Sequence, residues 1–478
     1  MSILITGGVV VTMDAGRTII HDGAVVVEKD RIADVGPARE VELRFKADEI
    51  IDARNKIILP GLIDTHGHAG HGLIKTIAEN DPKWSEIIYD VYVRSTSKEF
   101  WFTEGRLSAS ERIKFGTTCG VSLLGGGAGA FRCDNVDFAT GYAKALAEVG
   151  IRGIIGLGPS GRGLAYRPQT FRTWENGAFN EKTITFEESL DVIREAASSV
   201  NDRYEGRVIL KASVNSIAPD PTNLSTDEKA TIARQARAFR ELSKEIGSGV
   251  VAHAMGGTIA YAEELGMLGR DVALAHCSGL TDDEIQIFRR TGTNVSHCPR
   301  ARSIIEARCP VPELMDAGVT VALGSDGNAP DRTFNLFDDM KVAMTIHRTY
   351  FHDEQVLPPG KVLEMVTIDA AKALGLQGSI GSIERGKKAD IILVDTFKPH
   401  LIPVVMVPQQ LVYSASGFDV STAIVDGEIV MKDRVMTKVS EEVILKEAQE
   451  QAERVIERTT LKSLRGIPKG FWNRSRYG

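Results

Sequence analysis

Cysteine is scarce in this 478-residue chain, and the five present (Cys119, Cys133, Cys277, Cys298, Cys309) are odd in number, with no Cys-x-x-Cys pair. That usage excludes a disulfide framework and suits a reducing cytosol. Long apolar runs are missing too. None approaches the roughly 18–20 residues needed to span a bilayer, so no membrane association is expected. Before Arg17 there is no basic residue, and Gly7-Gly8 breaks the first apolar stretch. A secretory signal peptide needs a charged start and an unbroken apolar segment, so none is expected. Positive charge is not in excess: the net charge is −7 and the pI is near 5.9. A general nucleic-acid binder would carry a basic footprint, so no nucleic-acid partner is expected. These absences leave a cytoplasmic globular protein, too long for a single small core.

Two textures divide the chain. Residues 3–36 read as short strands punctuated by Gly7-Gly8, Asp14–Gly16, Asp22-Gly23 and Lys29-Asp30, with Asp22-Gly23 a hairpin signal. A similar β-rich texture returns at 390–394 and 422–431, around Asp426-Gly427. The two ends are therefore expected to pair into one small β-sandwich domain, 1–57 plus 385–439. Between them, apolar strands at 57–63, 117–123, 151–157, 208–213, 249–253, 272–276, 293–298 and 319–325 alternate with helical stretches. Those helices are expected at 107–115, 137–149, 186–197, 226–246, 259–265, 282–291 and 311–317. Eight strands alternating with helices predict a (β/α)8 TIM barrel over 58–384, an α/β fold. The long stretches 73–105 and 159–185 exceed ordinary connections and are expected to face the substrate. A helix with Ser440 as N-cap opens the 440–478 segment, whose basic, aromatic tail is expected to pack on a neighbouring subunit in a homo-oligomer.

Histidine is rare, ten in all, yet strand ends collect it. His66 and His68 close the first strand, one residue apart, so both side chains leave on one face about 6.5–7 Å apart. His253, His276 and His297 end the fifth, sixth and seventh strands, Asp326 the eighth, and Lys211 the fourth. Carboxyl ends of barrel strands converge on one mouth. Imidazoles plus a carboxylate there suit zinc, and also cobalt, manganese or iron. A metal with an open position lowers the pKa of water towards ~7. His71 and Arg162 are candidates for lining the substrate pocket, and His297 for standing behind the ligands. The Gly-rich run 125–130 partly matches a dinucleotide fingerprint but reads better as a loop over the mouth.

Several motifs resemble the metal-dependent amidohydrolase superfamily. They are Pro-Gly-Leu-Ile-Asp-Thr-His-Gly-His at 60–68, Leu-Ala-His-Cys at 274–277, Val-Ser-His-Cys-Pro at 295–299 and Leu-Gly-Ser-Asp-Gly at 323–327. Ala-Ala-Lys-Ala-Leu-Gly at 370–375 and the run 381–390 extend the resemblance over nearly the whole chain. It implies that His66, His68, His253 and Asp326 hold metal and that Asp326 is the general base. It further implies that His276 completes the metal site or hydrogen-bonds the reacting group. Binuclear members of the prolidase-like branch bridge two ions with a carboxylated strand-4 lysine, which makes Lys211 a candidate ligand and leaves one or two ions open.

Deaminases of the superfamily carry a Glu three residues after the strand-5 histidine. Here the segment is His253-Ala254-Met255-Gly256. The expected activity is therefore hydrolysis of an amide, carbamate, thiocarbamate or urea-type C–N bond of a small molecule by metal-activated hydroxide. Residues 67–76 look similar to the phenylurea and molinate hydrolases. The alternative is an aminohydrolase or dechlorinase of an s-triazine, pterin or related heterocycle. A non-catalytic assembly scaffold is disfavoured by the intact ligand set.

Overall fold

The computed structural model describes every residue except 1, 79–82, 127–128, 162–163, 202, 302–305, 468–469, 474 and 476–478. Eight parallel strands run side by side in chain order: β1 (Leu62–Asp64), β2 (Thr117–Leu123), β3 (Arg152–Leu157), β4 (Val208–Val214), β5 (Val250–Met255), β6 (Val272–Ser278), β7 (Asn294–His297) and β8 (Val321–Leu323). Hydrogen bonds from Thr65 N to Leu323 O (3.2 Å) and from Asp326 N to His66 O (2.9 Å) join β8 to β1 and close the circuit. Most strands are buried along their whole length, as a sheet wrapped by helices requires.

Local chemistry sets the helices between the strands. Ser225 with Glu228 and Thr281 with Glu284 form capping boxes at the starts of Thr226–Glu245 and Asp282–Thr291. Gly150 and Gly292 close the helices before them in left-handed conformation.

The chain ends meet as expected in a nine-stranded sheet. Ile391–Asp395 runs antiparallel to Lys56–Pro60, which in turn pairs with Ser2–Val11. Ile5, Val25 and Ile58 from one end pack with Ile391, Leu393 and Ile424 from the other. Two expectations need correcting. The apolar run 57–63 is two elements, because a Cβ at Gly61 would lie 2.0 Å from the Thr118 hydroxyl. The chain slips past Thr118 there and changes sheets. Asp22-Gly23 is an irregularity inside the strand Ile19–Glu28, not a hairpin turn. Asp426-Gly427 does turn a hairpin, with both residues at positive φ.

Arg152, at the floor of β3, pairs with Asp390 (2.8 Å) and Asp426 (2.5 Å) of the end sheet, all buried. Removing one partner of such a buried pair costs about 3–5 kcal/mol, so these contacts fasten the floor to the sheet. At the other end, the long excursions hold secondary structure missed in the sequence. The first contains the helix Trp84–Arg94, the second a hairpin of Gln169–Glu175 and Ala178–Ile184. Buried Arg132 donates to Tyr92 O (2.9 Å) and Arg172 O (3.2 Å), joining helix and hairpin above the mouth.

Candidate active site at the barrel mouth

Five of the expected side chains arrive from strand ends that turn inward. His66 and His68 follow β1, His253 lies in β5 and His276 in β6. Asp326 follows β8. His276 and Asp326 both adopt positive φ (67° and 63°), a backbone conformation that few non-glycine residues hold without support.

The imidazoles form a tight cluster. His66 lies 5.0 Å from His68, 4.7 Å from His253 and 5.4 Å from His276, ring centre to ring centre. His253 stacks on His276 at 5.3 Å. Asp326 Oδ1 is 3.0 Å from His68 Nε2 and 3.6 Å from His66 Nε2. Ligand atoms of His66, His68 and His253 lie within 4.8 Å of one another, as do those of His66, His276 and Asp326.

Hydrogen bonding fixes which nitrogens face inward. His68 Nδ1 donates to Gly125 O (3.0 Å) and His253 Nδ1 donates to Asn215 O (2.7 Å). A carbonyl only accepts, so in each neutral ring the lone pair sits on Nε2. They point at each other, 3.2 Å apart. His66 Nε2 is buried with no hydrogen-bond partner among the described residues. Converging lone pairs, an orphaned imidazole nitrogen and a carboxylate are what a divalent cation needs, and the backbone carbonyls behind the rings orient them for it. The donor set fits a metal.

Charge states agree with this. Burial pushes the imidazoles of His66 and His253 below their usual range, so both rings are neutral. Burial alone would raise the Asp326 carboxyl, but the imidazoles of His66 and His68 beside it hold it well below the usual carboxylate range. Asp326 Oδ2 also meets Arg332 Nη1 at 3.1 Å, and Arg332 Nη2 meets Asp331 at 2.9 Å. Nothing in the motifs singled out Arg332. Its tie to Asp326 depends on the irregular turn after β8.

His71 stands beside the cluster, stacked on His68 at 5.2 Å. Its Nδ1 meets the Tyr92 hydroxyl at 3.0 Å, and its ring meets the edge of Trp84 at 5.9 Å. A Cβ at Gly126 or Gly327 would come within 2.4 Å of the ring, so glycines on both sides make the slot it fills. Burial and the neighbouring His68 push its pKa down to about 3. Tyr92 and Trp84 were missed in the sequence because they lie in the excursion read as irregular.

One other expected residue stands apart. His297 ends β7 fully buried, 5.5 Å from His347, and neither ring nitrogen has a hydrogen-bond partner among the described residues. Arg162 lies outside the described residues.

Lys211 does not join the cluster. Val214 is level with Ala252, so the residue of β4 level with His253 is Asn215. Lys211 lies four positions, about 13 Å, nearer the floor. There its Nζ donates to Leu374 O (3.1 Å), and burial pushes its pKa down to about 8. The carbamate bridge for which Lys211 was a candidate therefore has no support in this placement. The lysine belongs to the barrel floor.

The described residues contain no helix long and apolar enough to cross a membrane. The family model for the amidohydrolase family matches residues 57–430. The chain belongs to that family, metal-dependent hydrolases of C–N bonds. Among curated relatives, 5'-deoxyadenosine deaminase of Methanosarcina mazei is 30% identical over 95% of this chain and 99% of its own length. A 5-methylthioadenosine/S-adenosylhomocysteine deaminase of Desulforudis audaxviator is 31% identical over 91% and 95%. Among solved structures, a zinc-bound adenosine deaminase from Xanthomonas campestris superposes with a TM-score of 0.81 at 22% identity, covering 95% of this chain and 98% of its own. Atrazine chlorohydrolase from Arthrobacter aurescens, complexed with zinc, gives 0.75 at 21%, covering 94% and 100%. At these identities the structural matches speak for the fold.

Proposed function

We propose that this protein is a zinc hydrolase, holding one ion per subunit, that cleaves an amide, carbamate, thiocarbamate or urea-type C–N bond of a small molecule. His66, His68, His253 and Asp326 would hold the ion, with His276 beside them. When bound there, a divalent metal supplies Lewis acidity and lowers the pKa of water to about 7. Asp326, kept ionised, takes the proton from the attacking water and passes it to the leaving nitrogen. His276 hydrogen-bonds the oxygen on which negative charge develops. His71, neutral and backed by Tyr92 and Trp84, forms one wall of the substrate pocket, with His297 and Arg162 as further candidates.

One observation carries the choice of leaving group. The position three residues after His253 is Gly256, and a Cβ there would lie 2.0 Å from Gly279 O. No side chain fits, so no carboxylate stands there to hand a proton to a ring nitrogen. Glu284, behind the same turn, is committed to Gly257 N (2.7 Å) and Ile259 N (3.3 Å). A carbonyl-type carbon with an amine leaving group does without that acid.

The curated relatives favour a second reading, an aminohydrolase of a purine-like or triazine-like heterocycle. Incubation of zinc-loaded protein with two panels separates the two. Amine release from ureas, carbamates or amides is the expected result; ammonia release from adenosine-type nucleosides or triazines with no action on the first panel overturns it. Five buried cysteines, all unpaired, support a cytoplasmic setting. The exposed apolar side chains Phe397, Ile402, Val405, Met406 and Phe418 support a homo-oligomer.

A further inference from the structure

Between His66 and His68 stands a glycine, and the reason lies in a neighbouring helix. Arg112, near the end of the helix Lys98–Lys114, is 1% exposed and runs directly beneath the pair. A Cβ at Gly67 would lie 2.3 Å from its Nη2, and one at Gly120 would lie 2.9 Å from its Cδ. The guanidinium occupies the space a side chain between the histidines would take.

All three nitrogens of that guanidinium are engaged, through four of its five N–H groups. Nε and Nη2 meet Asp64 Oδ2 (3.2 and 3.1 Å), Nη1 meets Ser122 Oγ (2.7 Å), and Nη2 also meets Val121 O (2.9 Å). Its face lies 3.9 Å from the centre of the Phe334 ring. Asp64 is fully buried, and its other contacts reach both sides of the metal cluster. Oδ1 accepts from Ser325 N (2.9 Å) and, at 3.4 Å, from His66 N; Oδ2 accepts from Ser325 Oγ (2.6 Å). One carboxylate thus grips the peptide that carries His66 and the residue before Asp326. The preceding helix residue, Glu111, accepts from Asn328 Nδ2 (2.8 Å) and Phe334 N (3.1 Å), holding the loop that follows Asp326.

We propose that Arg112 is the positioning residue of the metal cluster: through Asp64 it fixes the peptides bearing His66, His68 and Asp326, so that their ligand atoms converge before any ion binds. The inference rests on reading the cluster as a metal centre. Without Arg112, Asp64 loses the two contacts that set the orientation of its carboxylate. The alignment of the oxygens that accept from the Ser325 and His66 amides goes with them.

The test compares wild type, R112K, R112Q and R152Q. R152Q breaks a buried ion pair of similar character at the barrel floor, far from the mouth. Zinc affinity is read by competition with a chromophoric chelator. Loss of an outer-shell partner typically weakens a metal by about 10–100-fold, and that loss is expected in R112K and R112Q but not in R152Q. If R112Q does not fold, R112K is joined by G67A, whose new Cβ displaces the guanidinium. Wild-type affinity in R112K, or an equal loss in R152Q, overturns the inference. A wild type that binds no zinc overturns the metal-centre reading instead. Positioning is then judged on metal-free protein by the imidazole proton signals of His66 and His68. Single signals in wild type and R152Q, with split or broadened ones in R112K, are expected; unchanged spectra in R112K overturn it.

Discussion

The Nε2 atoms of His68 and His253 face each other at 3.2 Å, each with its Nδ1 proton already given to a backbone carbonyl. With both rings neutral these are two facing lone pairs, and a metal ion or a proton between them relieves their repulsion. Dialysis against a strong chelator is therefore expected to lower the melting temperature, and one equivalent of zinc to restore it. Free zinc at a hundred times its dissociation constant adds about 2.7 kcal/mol of stability. A melting curve indifferent to both treatments contradicts a metal at this position.

Lys211 offers a test of metal number. Because it points at the barrel floor and donates to Leu374 O, Lys211→Met is expected to leave metal content per subunit at the wild-type value. An apolar chain of similar length suits the buried position, so thermal stability should change little. Elemental analysis of the two proteins decides. A second ion in wild type that vanishes in the variant would reinstate the bridging lysine.

Legibility followed the range of the interactions involved. Helices at 226–246 and 282–291 were readable to within a residue because their caps are local: Ser225 with Glu228, and Thr281 with Glu284 and Gly292. The histidines and Asp326 were readable because strand ends in a barrel share one mouth. Lys211 was misplaced because β4 continues beyond its lysine, and only the pairing of Val214 with Ala252 reveals how far. Arg112 and Arg332 left no signal, since each owes its place to partners brought together by the closed barrel. The helix Trp84–Arg94 carries Ile87, Ile88, Val91 and Tyr92 at helical spacing, but the length of the surrounding excursion concealed it.

Gly256 makes a prediction about packing that also bears on substrate. Gly256→Ala places a methyl 2.0 Å from Gly279 O, a backbone atom that cannot swing away. Overpacking of this kind typically costs about 1–3 kcal/mol, and a lower melting temperature is expected. Gly256→Glu should be worse, and should gain no deaminase activity. A stable Gly256→Glu protein that releases ammonia from adenosine would show that the turn can open for an acid.

Acid sensitivity should trace in part to His347. Burial, and then the charge of Arg308, push its pKa down from 6.5 to about 4. The folded state therefore holds the neutral ring where the unfolded chain takes up a proton, so the unfolded state binds more protons between those values. Stability contributed this way is complete above pH 6.5 and is lost as pH falls towards 4. Asp339, which burial raises to about 6, works in the opposite direction between its unfolded value near 3.8 and pH 6. His347→Gln is expected to flatten the fall in melting temperature between pH 6.5 and 4, and an unaltered slope would rule His347 out as its source.

In the proposed mechanism Asp326 both carries the charge and moves the proton. Its Oδ1 lies 3.0 Å from His68 Nε2, and its Oδ2 lies 3.1 Å from Arg332 Nη1. Asn keeps the shape and one acceptor oxygen but neither carries the charge nor accepts a proton. Asp326→Asn is therefore expected to fold and to lower kcat by about 10²–10⁴-fold, the range a positioned base commands. Zinc affinity should weaken as well, because one anionic ligand becomes neutral. The two effects separate at saturating zinc: a kcat restored to the wild-type value there would make Asp326 a ligand alone, whereas a persistent loss assigns it the proton.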